Sequence, residues 1–396
     1  MTALAFQVIE LIFIISLGIV LYTYIGYGLI LYVLVKVKEA FVKHVPASLP
    51  EVLPDVTLFI AAYNEEDVVE EKMENCRQLS YPNDKLKIVW VTDGTTDRTN
   101  QLLASYPDVT VLFEPKRSGK TAALNRGMQY ISTPIVVFTD ANTMLNKEAI
   151  TEIVSQFTNE KVGCVAGEKR IMQKEKESAT GGEGIYWKYE SALKALDYRL
   201  YSAVGAAGEL FAIRSQLFEQ MPADTLLDDF ILSLRIAMKG YKIAYCKKAY
   251  AIETASLNMQ EEEKRKVRIA AGGLQSIWRL RSLLNLFRYG TLSFQYISHR
   301  VLRWTITPVL LFLLLPINLV LAFISGQAFY SILLVLQILF YLIAWIGYKM
   351  EQRQIHNKLL FVPYYFMFMN INVMRGVRYI AANKGNGAWD KAKRIK

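Results

Sequence analysis

Residues 86–99 read LKIVWVTDGTTDRT. A dense apolar run rich in β-branched residues, Leu86–Thr92, stops at Asp93 and gives way to a glycine and a polar loop. Three more runs have the same character: Val56–Ala62 (VTLFIAA), Val109–Phe113 and Ile135–Thr139 (IVVFT). Polar stretches with helical periodicity separate them, at Glu65–Leu79, Thr96–Ser105 and Lys120–Ile131. Near-continuous apolar strands alternating with helices predict an α/β unit with a mostly parallel sheet covered on both faces. Such sheets bind ligands beyond the carboxyl ends of their strands, where the strand order reverses.

The residues just past the strands form a consistent set. They are Tyr63-Asn64-Glu65-Glu66, then Asp93-Gly94-Thr95-Thr96-Asp97, then Asp140-Ala141-Asn142-Thr143. An aspartate before a helix is ordinarily an N-cap, and Asp97 suits that role. Acidic groups at three strand ends along one edge point instead to a site. The loop Lys116-Arg117-Ser118-Gly119-Lys120 adds cations and a glycine at that edge, as a diphosphate requires. It is not a P-loop, because the GxxxxGK[ST] spacing is absent.

Outward from this unit, the composition changes. Over 396 residues the chain is 53% apolar, 12% aromatic and 21% charged, with a mean hydropathy of +0.19. Soluble domains run near ~45–50% apolar and ~25% charged. Disorder, collagen-like repeats and coiled coil are excluded, and part of the chain belongs in a bilayer. A net charge of +10, from 46 Lys+Arg against 36 Asp+Glu, suits an anionic membrane surface or phosphorylated substrates. Nucleic acid is not an expected partner. Cys76, Cys164 and Cys246 lie far apart and predict no disulfide framework, so a reducing compartment is expected for the catalytic part.

The apolar mass sits at the two ends. Residues 5–36 carry one charge before Lys36, Glu10 near the outer edge, and exceed the ~30 Å hydrocarbon core, so they span it with tilt. No basic residue precedes the run, which makes it a retained anchor rather than a signal peptide. Lys36, Lys38 and Lys43 follow and place that flank in the cytoplasm. Residues 301–324 and 328–348 read as a transmembrane hairpin, with basic residues before the first span and after the second. Within 273–300, Leu274, Ile277, Leu280, Leu284 and Phe287 fall at three- and four-residue spacings among Arg279, Arg281 and Arg288. That pattern predicts amphipathic interface helices in the headgroup plane, although a core-facing helix shares it. Residues 359–378 read as interfacial or re-entrant, completing a C-terminal membrane region of 301–380. A fourth span would carry the basic tail, 381–396, outside. Residues 50–272 are then a cytoplasmic domain on a multi-pass protein of the cell (inner) membrane.

Six strings occur in a telling order: AAYNEE (61–66), TDGTTDRT (92–99), KRSGKTAALNRGM (116–128), FTDANTML (138–145), GAAGELFAIR (205–214) and LLDDFILSLRIAMKGYK (226–242). With them the chain resembles the membrane-bound family-2 glycosyltransferases, inverting enzymes of the GT-A fold. The nearest in kind are poly-β-1,6-N-acetylglucosamine, hyaluronan and cellulose synthases. The resemblance implies a hexosyltransferase acting on a UDP-sugar. It implies that Asp93 contacts the uracil or ribose, that Ala62, Tyr63, Asn64 and Glu65 wall the base pocket, and that Lys120 meets the nucleotide-sugar. Asp140 stands in the DxD motif that holds Mg²⁺ or Mn²⁺, with Asn142 in place of the usual second aspartate. Asp229 matches the general base and Asp228 its support; both also suit the start of a helix, whose dipole favours a carboxylate. Gly208 and Glu209 match the acceptor-lining segment, and Trp187 and Tyr186 are candidate sugar platforms. In the Gln-x-x-Arg-Trp motif Arg268 keeps the arginine, while Arg265 replaces the glutamine and Ile269 the tryptophan. The cations toward a diphosphate persist and the acceptor-stacking ring does not.

The expected activity is transfer from UDP-N-acetylglucosamine or UDP-glucose to a growing exopolysaccharide, with export subunits as possible partners. The alternative is addition of one sugar to a lipid-linked acceptor. An inert scaffold has no reason to keep Asp93, Asp140, Asp228, Asp229 and Arg268 together.

Overall fold

A computed structural model describes residues 2–42, 47–172, 181–353, 355 and 357–382, without the side chains of 181–186 and 358. Lys43, the Tyr186 side chain and the basic tail from residue 383 onward lie outside the described residues.

One eight-stranded sheet runs in the order β3-β2-β1-β4-β7-β6-β8-β5. Strands β1 (Val56–Ala62), β2 (Leu86–Asp93), β3 (Val109–Glu114) and β4 (Ile135–Asp140) are the four apolar runs of the sequence, and they pair in parallel. The other four are β5 (Thr143–Leu145), β6 (Val162–Met172), β7 (Leu210–Arg214) and β8 (Lys242–Thr254). Strand β7 joins β4 and β6 antiparallel, and β6 pairs with β8 in parallel. Side chains alternate across the strands. Leu58, Ile60 and Trp90 therefore pack on helices α2 (Val69–Arg77) and α5 (Ala149–Gln156), through Met73, Ile150 and Ile153. Helix α3 (Thr99–Leu103) closes the same layer through the buried Leu103. Phe59, Val91 and Phe138 face the opposite layer, with Leu124 of α4 (Lys120–Gly127) and Leu234 of α7 (Asp228–Met238). The three cysteines are free and buried.

Among the described residues three helices are long and apolar enough to cross a membrane: α1 (Ala3–Phe41), α9 (Ile306–Ser325) and α10 (Ala328–Gln352). Phe13 and Val20 of α1 pack with Leu311, Leu314 and Leu321 of α9. Tyr330, at the start of α10, donates to the Glu10 carboxylate. The N-terminus and the α9–α10 turn therefore lie at the same end of the bundle. Helix α1 has 39 residues, roughly 58 Å at 1.5 Å per residue. Its surplus over the hydrocarbon core is taken up by docking. Tyr27 and Leu31 are fully buried against Leu193 of α6 (Gly181–Leu200). Lys38 Nζ caps the end of α6, donating to the Arg199 and Leu200 carbonyls at 2.7 Å each.

Residues 273–300 are not one amphipathic helix. Helix α8 (Met259–Arg279) ends there, and short helical pieces follow, including Leu286–Tyr289 capped by the Asn285 side chain. Leu280 and Leu283 turn into the apolar core beside the sheet, whereas Trp278, Leu286 and Phe287 are exposed. Helix α11 (Lys358–Ala382) packs along α8, where Arg375 pairs with Glu263. It is not among the three helices apolar enough to cross.

A buried ionic cluster joins these parts. Asp197 of α6 accepts from Tyr27 of α1 and from Gln295 Nε2 (3.0 Å), and its Oδ2 lies 2.6 Å from His299 Nδ1. Glu190, about two helical turns earlier on the same face, pairs with Arg300 and Arg303.

Docking of α1 makes a stability prediction. Leu31→Ala should cost about 2–5 kcal/mol, the usual penalty for a fully buried leucine, whereas Leu29→Ala, on a 63% exposed residue, should cost under about 0.5 kcal/mol. Denaturant unfolding of the detergent-solubilised protein, read by tryptophan fluorescence, compares the two.

Candidate active site

A cleft of about 420 Å³ lies at the carboxyl ends of β1, β2 and β4. Adjacent strands sit ~4.8 Å apart, so the sheet order sets the order of groups along it.

At the β2 end, Asp93 is buried and lines the cleft. Its Oδ2 accepts from the backbone N–H groups of Ser118 (2.8 Å) and Gly119 (2.7 Å), which folds the cationic loop over the strand ends. Gly94 makes this possible: its φ is +65°, and a Cβ there would lie 2.5 Å from Arg117. The Arg117 guanidinium stacks 3.9 Å from the Tyr63 ring centre. Ala62, Tyr63 and Glu65 line the cleft. Asn64 does not. Its carboxamide accepts from Thr96 N–H (2.9 Å) and braces the neighbouring loop. Asp97 is structural as expected, accepting from Thr99 N–H at 3.0 Å and Glu66 N–H at 3.1 Å.

At β4, Asp140 and Asn142 face the cleft from a tight turn. That turn is tied down by Lys72 of α2, which is fully buried and donates to the Thr143 carbonyl (2.5 Å) and Thr139 Oγ1 (3.2 Å). Burial lowers the Lys72 pKa to about 8. Lys120 Nζ reaches Asp140 Oδ1 at 2.7 Å. Burial opposes its charge, but Asp140, Asp228 and Asp229 outweigh that and raise its pKa above the usual lysine range. Among the described residues no group of three or more His, Cys, Asp or Glu side chains is placed to hold a metal ion. A carboxylate and a carboxamide in the cleft wall nevertheless fit a hard cation that draws its remaining oxygens from a diphosphate.

At β7, Gly208 allows a close approach to Asp229: a Cβ on it would lie 3.1 Å from Lys120 Nζ and 3.5 Å from Asp229 Oδ2. Glu209 is held by Lys169, which also binds Glu253. Asp228 and Asp229 open α7. No side-chain cap serves this helix, and Asp229 Oδ1 accepts from the next backbone N–H, Phe230, at 2.8 Å. Burial, then the neighbouring Asp228, pushes the Asp229 pKa up to about 7 against the pull of Lys120.

From α8, Arg268 lines the cleft with Ile269 beside it. Arg265 also lines it, but its guanidinium is bound to Glu262 at 2.9 Å. The Trp187 ring carries Lys169 and Lys266 ammonium groups, each 5.3 Å from its centre. Sequence reasoning missed Lys72, Lys194, Lys169 and Trp304. Two of them left a signal: a lysine on the inward face of α2 (Val69, Lys72, Met73, Cys76), and a polar stripe on α6 (Glu190, Lys194, Asp197).

Fold and cleft together define a GT-A-type glycosyltransferase. The chain belongs to glycosyltransferase family 2: the model described as glycosyltransferase-like family 2 matches residues 54–272. It is 27% identical over 237 residues to a poly-β-1,6-N-acetyl-D-glucosamine synthase of Staphylococcus aureus strain MSSA476, covering 57% of this chain and 56% of that one. It is 28% identical over 217 residues to a β-monoglucosyldiacylglycerol synthase of Nostoc sp., covering 51% and 45%. The chain thus spans about half the length of these relatives. A solved mannosyltransferase from Pyrobaculum calidifontis, in complex with GDP-mannose and Mn²⁺, shares the fold at a TM-score of 0.72 and 21% identity, covering 94% of this chain and 99% of that one.

If Asp93 holds the loop as described, Asp93→Ala should free the Ser118 and Gly119 amides. Loss of two charge-assisted hydrogen bonds should speed their hydrogen exchange about tenfold or more, while exchange in α5, in the layer on the other face, stays unchanged.

Proposed function

We propose that the protein is an inverting, UDP-sugar-dependent transferase that adds one sugar to a lipid-linked acceptor at the cytoplasmic face of the cell membrane. The observation that carries this reading is the course of the cleft. It passes from Asp93 by Asp229 to Trp304, two residues before α9, and to Met369 and Val373 of α11. An acceptor reaching Asp229 by that end comes from the membrane side. Ile269, where processive members have tryptophan, agrees with a single addition.

In this reading Tyr63 and Asp93 wall the nucleoside, and Lys120 and Arg268 meet the diphosphate. A divalent cation held by Asp140 and Asn142 would offset the charge that develops on the departing UDP. Asp229 takes the proton of the acceptor hydroxyl as its oxygen bonds to the anomeric carbon. The bond from that carbon to the phosphate oxygen breaks on the opposite face, and UDP leaves with the electron pair. A carboxylate tuned near neutrality suits a base working at cytoplasmic pH. Asp228 and the helix N-terminus tune it in opposite directions.

A second reading, extension of an exopolysaccharide, is favoured by the similarity to the Staphylococcus aureus synthase. Product analysis separates the two. Purified protein in liposomes of bacterial polar lipids, given radiolabelled UDP-N-acetylglucosamine or UDP-glucose, should yield label that extracts into chloroform–methanol at a mass of one added sugar. High-mass, water-soluble label would overturn the lipid reading in favour of the polymer.

The base is tested separately. Asp229→Asn should lower kcat at least about a thousandfold, within the usual range for loss of a general base, and leave UDP affinity near wild type. The base acts deprotonated, so wild-type activity should fall as pH drops through about 7. Asp228→Asn removes a neighbouring negative charge and should move that acid limb to lower pH. A limb that stays in place would remove Asp228 from this role.

A further inference from the structure

The far end of the cleft holds a cation that neither the family motifs nor the proposed reaction uses. Lys194 lies on α6, on the same face as Trp187 and Glu190, and all three line the cleft. It is 6% exposed. It forms no ion pair or hydrogen bond among the described residues. The carboxylates whose charges reach it are Glu190, Glu209 and Glu168, and each has its own partner. Glu190 is taken by Arg300 and Arg303, Glu209 by Lys169, and Glu168 accepts from Ser191. Arg300 adds a further positive charge beside it. Burial lowers the Lys194 pKa against the pull of these carboxylates, and an anionic ligand in the cleft would favour its charged form.

Its position says which ligand. Asp93 is on β2, and β1 and β4 separate it from β7, which carries Glu209 at its head. Three strand steps of ~4.8 Å place these ends roughly 14 Å apart. Lys194 is therefore remote from the nucleoside end. The same cleft wall includes Arg300, Trp304, Met369 and Val373, which belong to the segment leading into α9 and to α11, and α6 packs against α11. An anion arriving there is attached to something that comes out of the bilayer.

We propose that Lys194 is an acceptor-recognition residue that binds the phosphate of an anionic membrane lipid, so that the enzyme glycosylates phosphate-bearing rather than neutral lipids. This rests on the lipid-acceptor reading above and adds the chemical class of the acceptor. Trp304 and the α11 side chains offer an apolar wall to the chain of such a lipid, and Lys194 fixes its headgroup with a hydroxyl toward Asp229.

The test uses binding, so that it does not depend on knowing the donor sugar. The full-length protein in non-ionic detergent, saturated with UDP, is titrated by calorimetry with decyl phosphate, decanol and inorganic phosphate. Decyl phosphate should bind at least tenfold tighter than decanol or inorganic phosphate. Lys194→Met should abolish the preference, and Lys194→Arg should retain it. Thermal unfolding of both variants checks that they fold. UDP affinity, titrated separately, should stay within twofold of wild type. Equal binding of decyl phosphate and decanol, or a preference that survives in Lys194→Met, would overturn the proposal. Inorganic phosphate binding as tightly as decyl phosphate would show a free-anion site instead. A fall in UDP affinity in Lys194→Met would assign the lysine to the nucleotide. Failure of wild-type protein to bind UDP would sink the transferase reading, while the decyl phosphate titration still decides Lys194.

Discussion

The buried cluster around Asp197 and Glu190 is the constraint on which the architecture depends. One short face of α6 gathers a tyrosine from α1 and a glutamine, a histidine and two arginines from the segment that leads into α9. Charges this deep add little net stability relative to apolar packing, but removing one partner strands the other. The cluster thus works as a lock. It fixes α6 relative to two membrane helices, and α6 forms one wall of the cleft. The cleft wall and the long apolar helices are held in one geometry by a handful of polar side chains.

Within the cleft, charge is arranged by pairing rather than by net sign. Lys120 lies among Asp140, Asp228 and Asp229 and ties the start of α4 to the end of β4 through Asp140. Lys72 acts from behind, where its bonds to the Thr143 carbonyl and Thr139 fix the turn that aims Asp140 and Asn142.

The first half of the sheet was legible because parallel strands buried on both faces must be apolar throughout. Strands β2 and β4 stop at aspartates that line the cleft, so Asp93 and Asp140 could be read as site residues from position alone. The second half was not legible. Strand β5 has three residues, and β6 and β8 carry Lys169 and Glu253 near their ends, which pair with one another across the sheet. Such pairing is long-range and leaves no periodic trace. Asn64 matched a family string, yet its side chain turns away, because its backbone adopts φ 51° and its carboxamide meets Thr96. The run 273–300 satisfied the amphipathic pattern, but Asn285 and Gly290 break it into pieces whose apolar residues point in different directions.

One detail of α1 has a wider consequence. The helix is continuous except for a single π turn at Tyr22–Gly26. There Tyr22 meets Ser298, Thr23 meets Thr307 and Tyr24 meets Asn370. Above the turn the helix keeps its register with α9 through Phe13; below it, with α6 through Tyr27 and Leu31. Two rigid registers on one rod leave no freedom of phase. A π turn equals one inserted residue, and each residue of an α-helix turns the rod by ~100°. Tyr22–Gly26 is thus the vernier that brings the two registers into step. Evolution can lengthen or shorten this anchor only in whole turns or at that bulge.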